Sequence, residues 1–163
     1  MTKDVMVTIA GFHLAEEEED TIEMVHIGNY YERNGTHYIL FEEQMEGMTA
    51  PVKNRIKING HRMEVQKRGP VTTSMIFEEQ KRQSSVYTIP YGSFLMETLT
   101  TKVEVHMEED CLQAKAVYEL SINGVRCACC DIRVRVQSRA LFRFAAENTS
   151  QGEKDEKERK TEE

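Results

Sequence analysis

The sequence predicts an all-β fold, a single closed antiparallel barrel of about eight to ten strands. Short stretches of alternating apolar and polar residues recur along the chain, which is the period of half-buried strands. Asn-Gly dipeptides separate several of these stretches and favour two-residue hairpin turns. They are Asn34-Gly35, Asn59-Gly60 and Asn123-Gly124. The alternation also slips twice within long strands, as it does where bulges turn the corners of a barrel. A two-sheet sandwich is the alternative fold.

Length and composition indicate one domain with a charged tail. A chain of 163 residues is long enough to bury a core without the help of a metal or a disulfide bond. Residues 1–146 carry the strand patterns and are predicted to form the barrel domain. Residues 147–163 contain seven acidic and four basic residues and almost nothing apolar, so we expect a disordered tail or a frayed helix.

Several functional classes do not fit this composition. The formal net charge of −7 opposes general binding of nucleic acid, which requires a basic surface. No apolar run is long enough to span a bilayer or to act as a secretory signal, so we expect a cytoplasmic protein without membrane association. The sequence has no phosphate-binding loop, dinucleotide fingerprint or nucleophile elbow, and it predicts no cofactor.

The first strands follow from their alternation and from the first Asn-Gly turn. Residues 5–10 predict a strand, whereas the five consecutive carboxylates at 16–20 repel one another and indicate a solvated loop. Residues 21–32 and 36–43 predict a hairpin whose register pairs Tyr30 with Ile39 and His26 with Glu43. We predict that this face is interior. The opposite face is also fairly apolar and is the alternative, with Tyr31, Tyr38 and Leu40.

The second hairpin, residues 52–68, is predicted to turn at Asn59-Gly60. Its core face would then pair Ile58 with His61, Ile56 with Met63, Asn54 with Val65 and Val52 with Lys67. The outer face carries a basic stripe of Lys53, Arg55 and Lys57. In this register Lys57 lies across from Arg62, and opposed like charges are a weak sign of an anionic partner. A solvated outer face accounts for the same stripe.

The middle of the chain contains the longest predicted strand. Residues 71–77 alternate as a strand, and residues 79–84 have the composition of a polar loop. Pro90 and Gly92 then form a rigid turn from which the long strand runs to residue 107. Its apolar residues change face between residues 98 and 101, so we predict a bend or bulge there.

The last hairpin turns at Asn123-Gly124, and its second strand changes apolar parity after Cys130. One extra residue at Cys129-Cys130 would restore a single buried face, setting Ile132 against Ala116 and Val134 against Ala114. We therefore predict a bulge at that dipeptide.

Four cysteines raise the question of a zinc site, which the predicted register excludes. Cys111 would lie near Gln137, about 23 Å along the strands from Cys130, and the neighbouring thiols on one strand cannot complete a tetrahedron alone. We therefore expect no bound metal. We predict that the cysteines, Cys111, Cys127, Cys129 and Cys130, are reduced and mostly buried.

An ordered series of short motifs resembles the YwiB-like bacterial family, a domain of unknown function. The motifs are Gly28-Asn29-Tyr30-Tyr31, Tyr38-Ile39-Leu40-Phe41-Glu42-Glu43, Lys67-Arg68-Gly69, Met75-Ile76-Phe77, Tyr87 with Tyr91-Gly92, and Thr98 with Thr100. The similarity spans about residues 3 to 137, and neither the cysteine cluster within that span nor the tail beyond it is part of the family's pattern. It implies a calycin-type, lipocalin-like barrel and no established activity.

Polar residues on the predicted interior face are the candidate site. They are Tyr30, His26, Glu43, Lys67 and the adjacent Arg68. Buried charges are costly unless paired, so these groups should meet one another or face a bound molecule. We expect non-enzymatic binding of a small apolar or anionic molecule in the barrel.

The same polar residues are compatible with two further roles. A purely structural ion-pair network accounts for them, and so does acid/base catalysis by His26 and Glu43. The alternative function is that of an interaction or regulatory protein with a filled barrel, which binds a protein or an anionic partner through its outer face.

Overall fold

The computed structural model describes residues 3–11 and 23–140, and these form a nearly closed barrel of ten antiparallel strands. The all-β prediction is confirmed. The strands are β1 Asp4–Ala10, β2 Glu23–Arg33, β3 Thr36–Glu43, β4 Val52–Asn59, β5 Arg62–Arg68, β6 Thr73–Glu78, β7 Lys81–Ile89, β8 Gly92–Glu108, β9 Cys111–Ile122 and β10 Val125–Ser138. The predicted carboxylate loop at 16–20 and the tail at 147–163 lie outside the described residues.

The barrel is closed at one point on its seam. The sheet order is β6-β5-β4-β3-β2-β1-β10-β9-β8-β7, so β6 and β7 are its two edges. Thr72 and Thr88 join these edges through two reciprocal backbone hydrogen bonds of 2.9 Å. This single bridge makes the barrel nearly closed.

Two of the three Asn-Gly turns have the predicted register. Arg33 pairs with Thr36 and Tyr30 with Ile39 around the first, and Ile122 pairs with Val125 around the last. Both residues of each turn have positive φ, 52° and 79° in the first and 49° and 81° in the last, as a type I′ turn requires. The predicted interior face is also confirmed, because Tyr30, Ile39 and Phe41 are buried.

The predicted register of the second hairpin is wrong by two residues. The turn residues are Gly60 and His61, and Asn59 pairs with Arg62. Only Gly60 of this pair has a positive φ, 57°, which fits a type II′ turn with Gly first. A shift of two keeps every side chain on its predicted face but changes its partner. Asn54 therefore lies beside Lys67 instead of Val65.

Both predicted bulges exist, one of them at a different residue. The β8–β9 register shifts between Thr100 and Lys102, within the predicted stretch. The β9–β10 register shifts between Arg126 and Ala128, so the extra residue is Cys127 and the predicted position at Cys129-Cys130 is wrong. Any extra residue in this segment restores the later pairing, and Ile132 opposes Ala116 as predicted.

The position of this bulge decides where the cysteines lie. After the bulge the even-numbered side chains of β10 point inward, so Cys129 points outward and is exposed. Cys127, the bulged residue itself, is exposed as well. Cys111 and Cys130 are half-buried, so the prediction that the cysteines are mostly buried is wrong. Their chemical state is that of free thiols.

The predicted polar loop at 79–84 is mostly strand. Only the turn at Glu79 and Gln80 separates β6 from β7, and Gln80 has a φ of 62°. Residues 81–84 are polar because this strand lies at the barrel seam, where one face is exposed to solvent. Their composition therefore resembled that of a loop. Within the described ranges, no helix is long and apolar enough to cross a membrane.

Candidate functional site

A pocket of about 440 Å³ lies at one end of the barrel. At this end β3 and β5 finish and β4 and β8 begin. The walls are mainly apolar and include three methionines and two tyrosines, with few charged groups. The lining residues are Met24, Glu43, Gln44, Met45, Glu46, Val52, Lys67, Val71, Tyr87, Met96 and Tyr118.

Three polar side chains form a bonded triangle, and two of them, Glu43 and Lys67, line this pocket. Lys67 Nζ lies 2.6 Å from Glu43 Oε1 and donates a second hydrogen bond of 2.9 Å to Asn54 Oδ1. Asn54 Nδ2 donates to the same Glu43 Oε1 at 2.8 Å. Only 11% of the Lys67 side chain and 15% of the Glu43 side chain are exposed. The triangle therefore offsets the cost of burying two opposite charges.

The observed register of the second hairpin is what brings the triangle together. Asn54 and Lys67 are direct cross-strand neighbours on the interior face of β4 and β5. Glu43 pairs with Val52 on the other side of β4, so it is the diagonal neighbour of Asn54. Sequence reasoning placed Asn54 on the core face but missed its role, because the predicted register put Val65 opposite it.

His26 lies near this triangle, but its side chain makes no hydrogen bond to the triangle or to any other described residue. Its ring stacks on Phe41, with ring centroids 4.6 Å apart and planes 21° apart. The β2–β3 ladder ends at the pair of Gly28 and Phe41, two residue pairs short of the predicted opposition of His26 and Glu43. Burial lowers the pKa of His26 from its ordinary 6.5, the charge of Lys67 adds to this, and the charge of Glu43 opposes it.

Tyr30 and Arg68 lie apart from the other candidates. The Tyr30 hydroxyl is 2.7 Å from Nδ1 of His37, a hydrogen bond about 13 Å along the strands from the level of Glu43. Arg68 is exposed, pairs with Lys53 across the β4–β5 ladder and does not line the pocket. Of the five predicted residues, the structure thus brings together Glu43, Lys67 and His26.

Two tyrosines complete the pocket, and sequence reasoning did not assign either of them to it. Tyr87 stacks on Phe94 with ring centroids 5.1 Å apart, and Tyr118 tilts against Phe77 at 4.8 Å. Burial raises the pKa of both phenols, and the nearby Glu43 carboxylate adds to the rise at Tyr87. Both hydroxyls therefore stay protonated and can donate a hydrogen bond at neutral pH.

The like-charge pair predicted in the outer basic stripe, Lys57 opposite Arg62, does not form, and the stripe's like-charge pair is instead Lys53 opposite Arg68. Lys57 pairs with Glu64 across the β4–β5 ladder and not with Arg62. Its ammonium also lies 5.5 Å from the centre of the Tyr38 ring, a cation–π contact. The repulsion that pointed to an anionic partner is therefore absent at this pair.

The cysteines are arranged as the register argument required. Cys111 pairs with Gln137 in the β9–β10 ladder, far from Cys127 and Cys129 near the hairpin turn. Within the part of the chain that the structure describes, no three His, Cys, Asp or Glu side chains are grouped so that they could hold a metal ion.

Comparisons with known proteins support the predicted resemblance. A family model described as Domain of unknown function (DUF1934) matches residues 7–134. The crystal structure of the ywiB protein from Bacillus subtilis is similar, with a TM-score of 0.66 over 83% of this chain and 89% of that chain. The two sequences are 15% identical, so this likeness concerns the fold alone. No protein with a curated description matches the chain.

Proposed function

The chain belongs to the family DUF1934, a domain of unknown function, and we propose that its barrel binds a small, largely apolar molecule without transforming it chemically. The observation that carries this proposal is the pocket beside Glu43 and Lys67. Its volume of about 440 Å³ falls within the usual range for small-molecule sites, about 300–1,000 Å³. We also propose that the barrel is lipocalin-like, as the family resemblance implies, because barrels of that type hold one small ligand.

The lining of the pocket supports an apolar ligand. Met24, Met45 and Met96 supply flexible, polarizable side chains that adapt to irregular shapes, and Val52 and Val71 add apolar wall. A few fixed polar groups beside a mainly apolar surface are the usual arrangement of a site that orients a small molecule.

The arrangement of the charged groups favours binding over acid/base catalysis. The Glu43 carboxylate and the Lys67 ammonium are already bonded to each other, so neither is poised to exchange a proton with a substrate. Within the described residues, no hydrogen bond links His26 to Glu43, and the His26 ring is held against Phe41. The free thiols and the net charge of −7 also fit the proposed cytoplasmic location.

Filling the pocket from one side tests the proposal. Met96→Trp introduces a large ring into the pocket, whereas Leu95→Trp places the same ring on the exposed outer face of the same strand. We expect the neutral dye Nile red to bind the wild-type protein and the Leu95→Trp variant, with an increase in fluorescence. Met96→Trp should weaken that binding at least tenfold while the protein stays folded by circular dichroism.

Two results would contradict the proposal. One is that Nile red does not bind the wild-type protein, and the other is that it binds both tryptophan variants equally well. Native mass spectrometry of freshly purified protein provides an independent measurement, since an occupied barrel should carry an extra mass that Met96→Trp loses.

A further inference from the structure

The triangle leaves one hydrogen-bonding atom of the pocket unused. Both Lys67 and Asn54 bond to Oε1 of Glu43, and within the described residues no donor bonds to Oε2. Glu43 lines the pocket and keeps 15% of its side chain exposed. A carboxylate oxygen accepts hydrogen bonds and cannot donate them when ionised, so the open position calls for a donor.

The charges around this oxygen select against charged ligands. Glu43 and Glu46 both line the pocket with Lys67, so an anion would meet two carboxylates and only one ammonium. A cation would have to share the Glu43 carboxylate with Lys67, which already lies 2.6 Å from it. Either ion would also lose its hydration on entering a largely apolar pocket.

The two phenols add donors near the same place. Tyr87 and Tyr118 line the pocket, and neither hydroxyl makes a hydrogen bond to another described residue. Tyr87 is near enough to Glu43 for the carboxylate to affect its ionisation. A ligand hydroxyl could therefore donate to Glu43 and accept from a phenol at once, which a ketone or an ether could not do.

We propose that the ligand is an uncharged, largely apolar molecule with a hydroxyl group that donates a hydrogen bond to Glu43 Oε2. This inference rests on the proposed function, because it concerns the same pocket. It narrows the predicted class, apolar or anionic, to neutral alcohols and phenols.

Four probes with the same decyl chain test the inference by displacing Nile red at about pH 8. They are decanol, decyl methyl ether, decanoate and decylammonium. A hydrogen bond to a charged acceptor corresponds to roughly tenfold or more in affinity, so decanol should bind at least about tenfold tighter than the ether. Decanoate and decylammonium should both bind more weakly than decanol.

Two variants locate the effect at the proposed atoms. Glu43→Gln should reduce the preference for decanol over the ether to about threefold or less, because an amide can offer a donor in place of Oε2. Tyr87→Phe leaves the triangle intact and should weaken decanol and the ether alike, because both oxygens can accept from the phenol and only decanol can donate to Glu43. Tyr31→Phe, on the exposed outer face, is the matched control and should change nothing. If Glu43→Gln does not fold, Glu43→Gln combined with Lys67→Met, which leaves no buried charge in the triangle, decides the question.

The outcomes separate the ligand class from the binding function. Equal binding of decanol and ether, or tightest binding of decanoate or decylammonium, would overturn the inference and leave the binding function standing. An unchanged decanol preference in a folded Glu43→Gln, alone or combined with Lys67→Met, would overturn it as well. Absence of Nile red binding to the wild-type protein would overturn the proposed function itself.

Discussion

Replacing Glu43 with glutamine should destabilise the barrel far more than replacing an exposed glutamate. The change removes the negative charge 2.6 Å from Lys67 Nζ and leaves that ammonium mostly buried, with 11% of the side chain exposed. Breaking a buried ion pair by removing one partner costs about 3–5 kcal/mol. Because both side chains keep some contact with water, we expect the lower end, a loss of about 3 kcal/mol.

Urea denaturation measures this loss directly. With a slope of about 2 kcal/mol per molar urea, a loss of about 3 kcal/mol lowers the midpoint by about 1.5 M. Glu119→Gln is the matched control, because Glu119 pairs with Arg126 at 3.2 Å but the two side chains are 38% and 69% exposed. Exposed pairs of this kind contribute about 0.5 kcal/mol.

A double variant distinguishes the loss of the opposite charge beside Lys67 from a simple packing defect. Glu43→Gln combined with Lys67→Met leaves no buried charge, so it should be more stable than Glu43→Gln alone by about 1–2 kcal/mol. If Glu43→Gln instead loses less than about 0.5 kcal/mol, like the control, the triangle is not a buried, coupled unit. The assignment of these side chains to the barrel interior would then be refuted.

Further predictions concern the ladder, the histidine, the tyrosine bond and the thiols. Deletion of Cys127, the extra residue of the bulge, should leave a folded protein with a regular β9–β10 ladder. Deletion of Arg133 turns Val134 outward and should abolish folding, and circular dichroism distinguishes the two results. Because burial lowers the pKa of His26 below the unfolded value of 6.5, the unfolded chain binds more protons, and stability should fall as pH drops through about 6.5. His26→Gln should remove that part of the pH dependence in urea titrations at about pH 5 and about pH 8. Tyr30→Phe should lose about 1 kcal/mol in the same assay without affecting Nile red binding, since its hydroxyl bonds to His37 far from the pocket. Elemental analysis should find no stoichiometric zinc, and about one zinc per chain would contradict the register argument.

The sequence by itself determined which faces of most strands are buried. Side chains alternate across a strand, so Tyr30, Ile39 and Phe41 must all lie on the same face of the hairpin, and that face is buried. Asn34-Gly35 and Asn123-Gly124 also set their registers, because two adjacent residues with positive φ are strongly favoured by this dipeptide. The family resemblance, and the existence of both bulges, followed from residues alone.

The tertiary structure decided what apolar parity cannot distinguish. A turn at Asn59-Gly60 and a turn at Gly60-His61 bury the same side chains, because the two registers differ by two residues. Only the assembled sheet places Asn54 beside Lys67 and brings Glu43 to both of them. The extra residue in β10 is equally ambiguous, since every position before Ile132 restores the same pairing. The pocket, too, depends on contacts between strands distant in sequence, which no local pattern encodes.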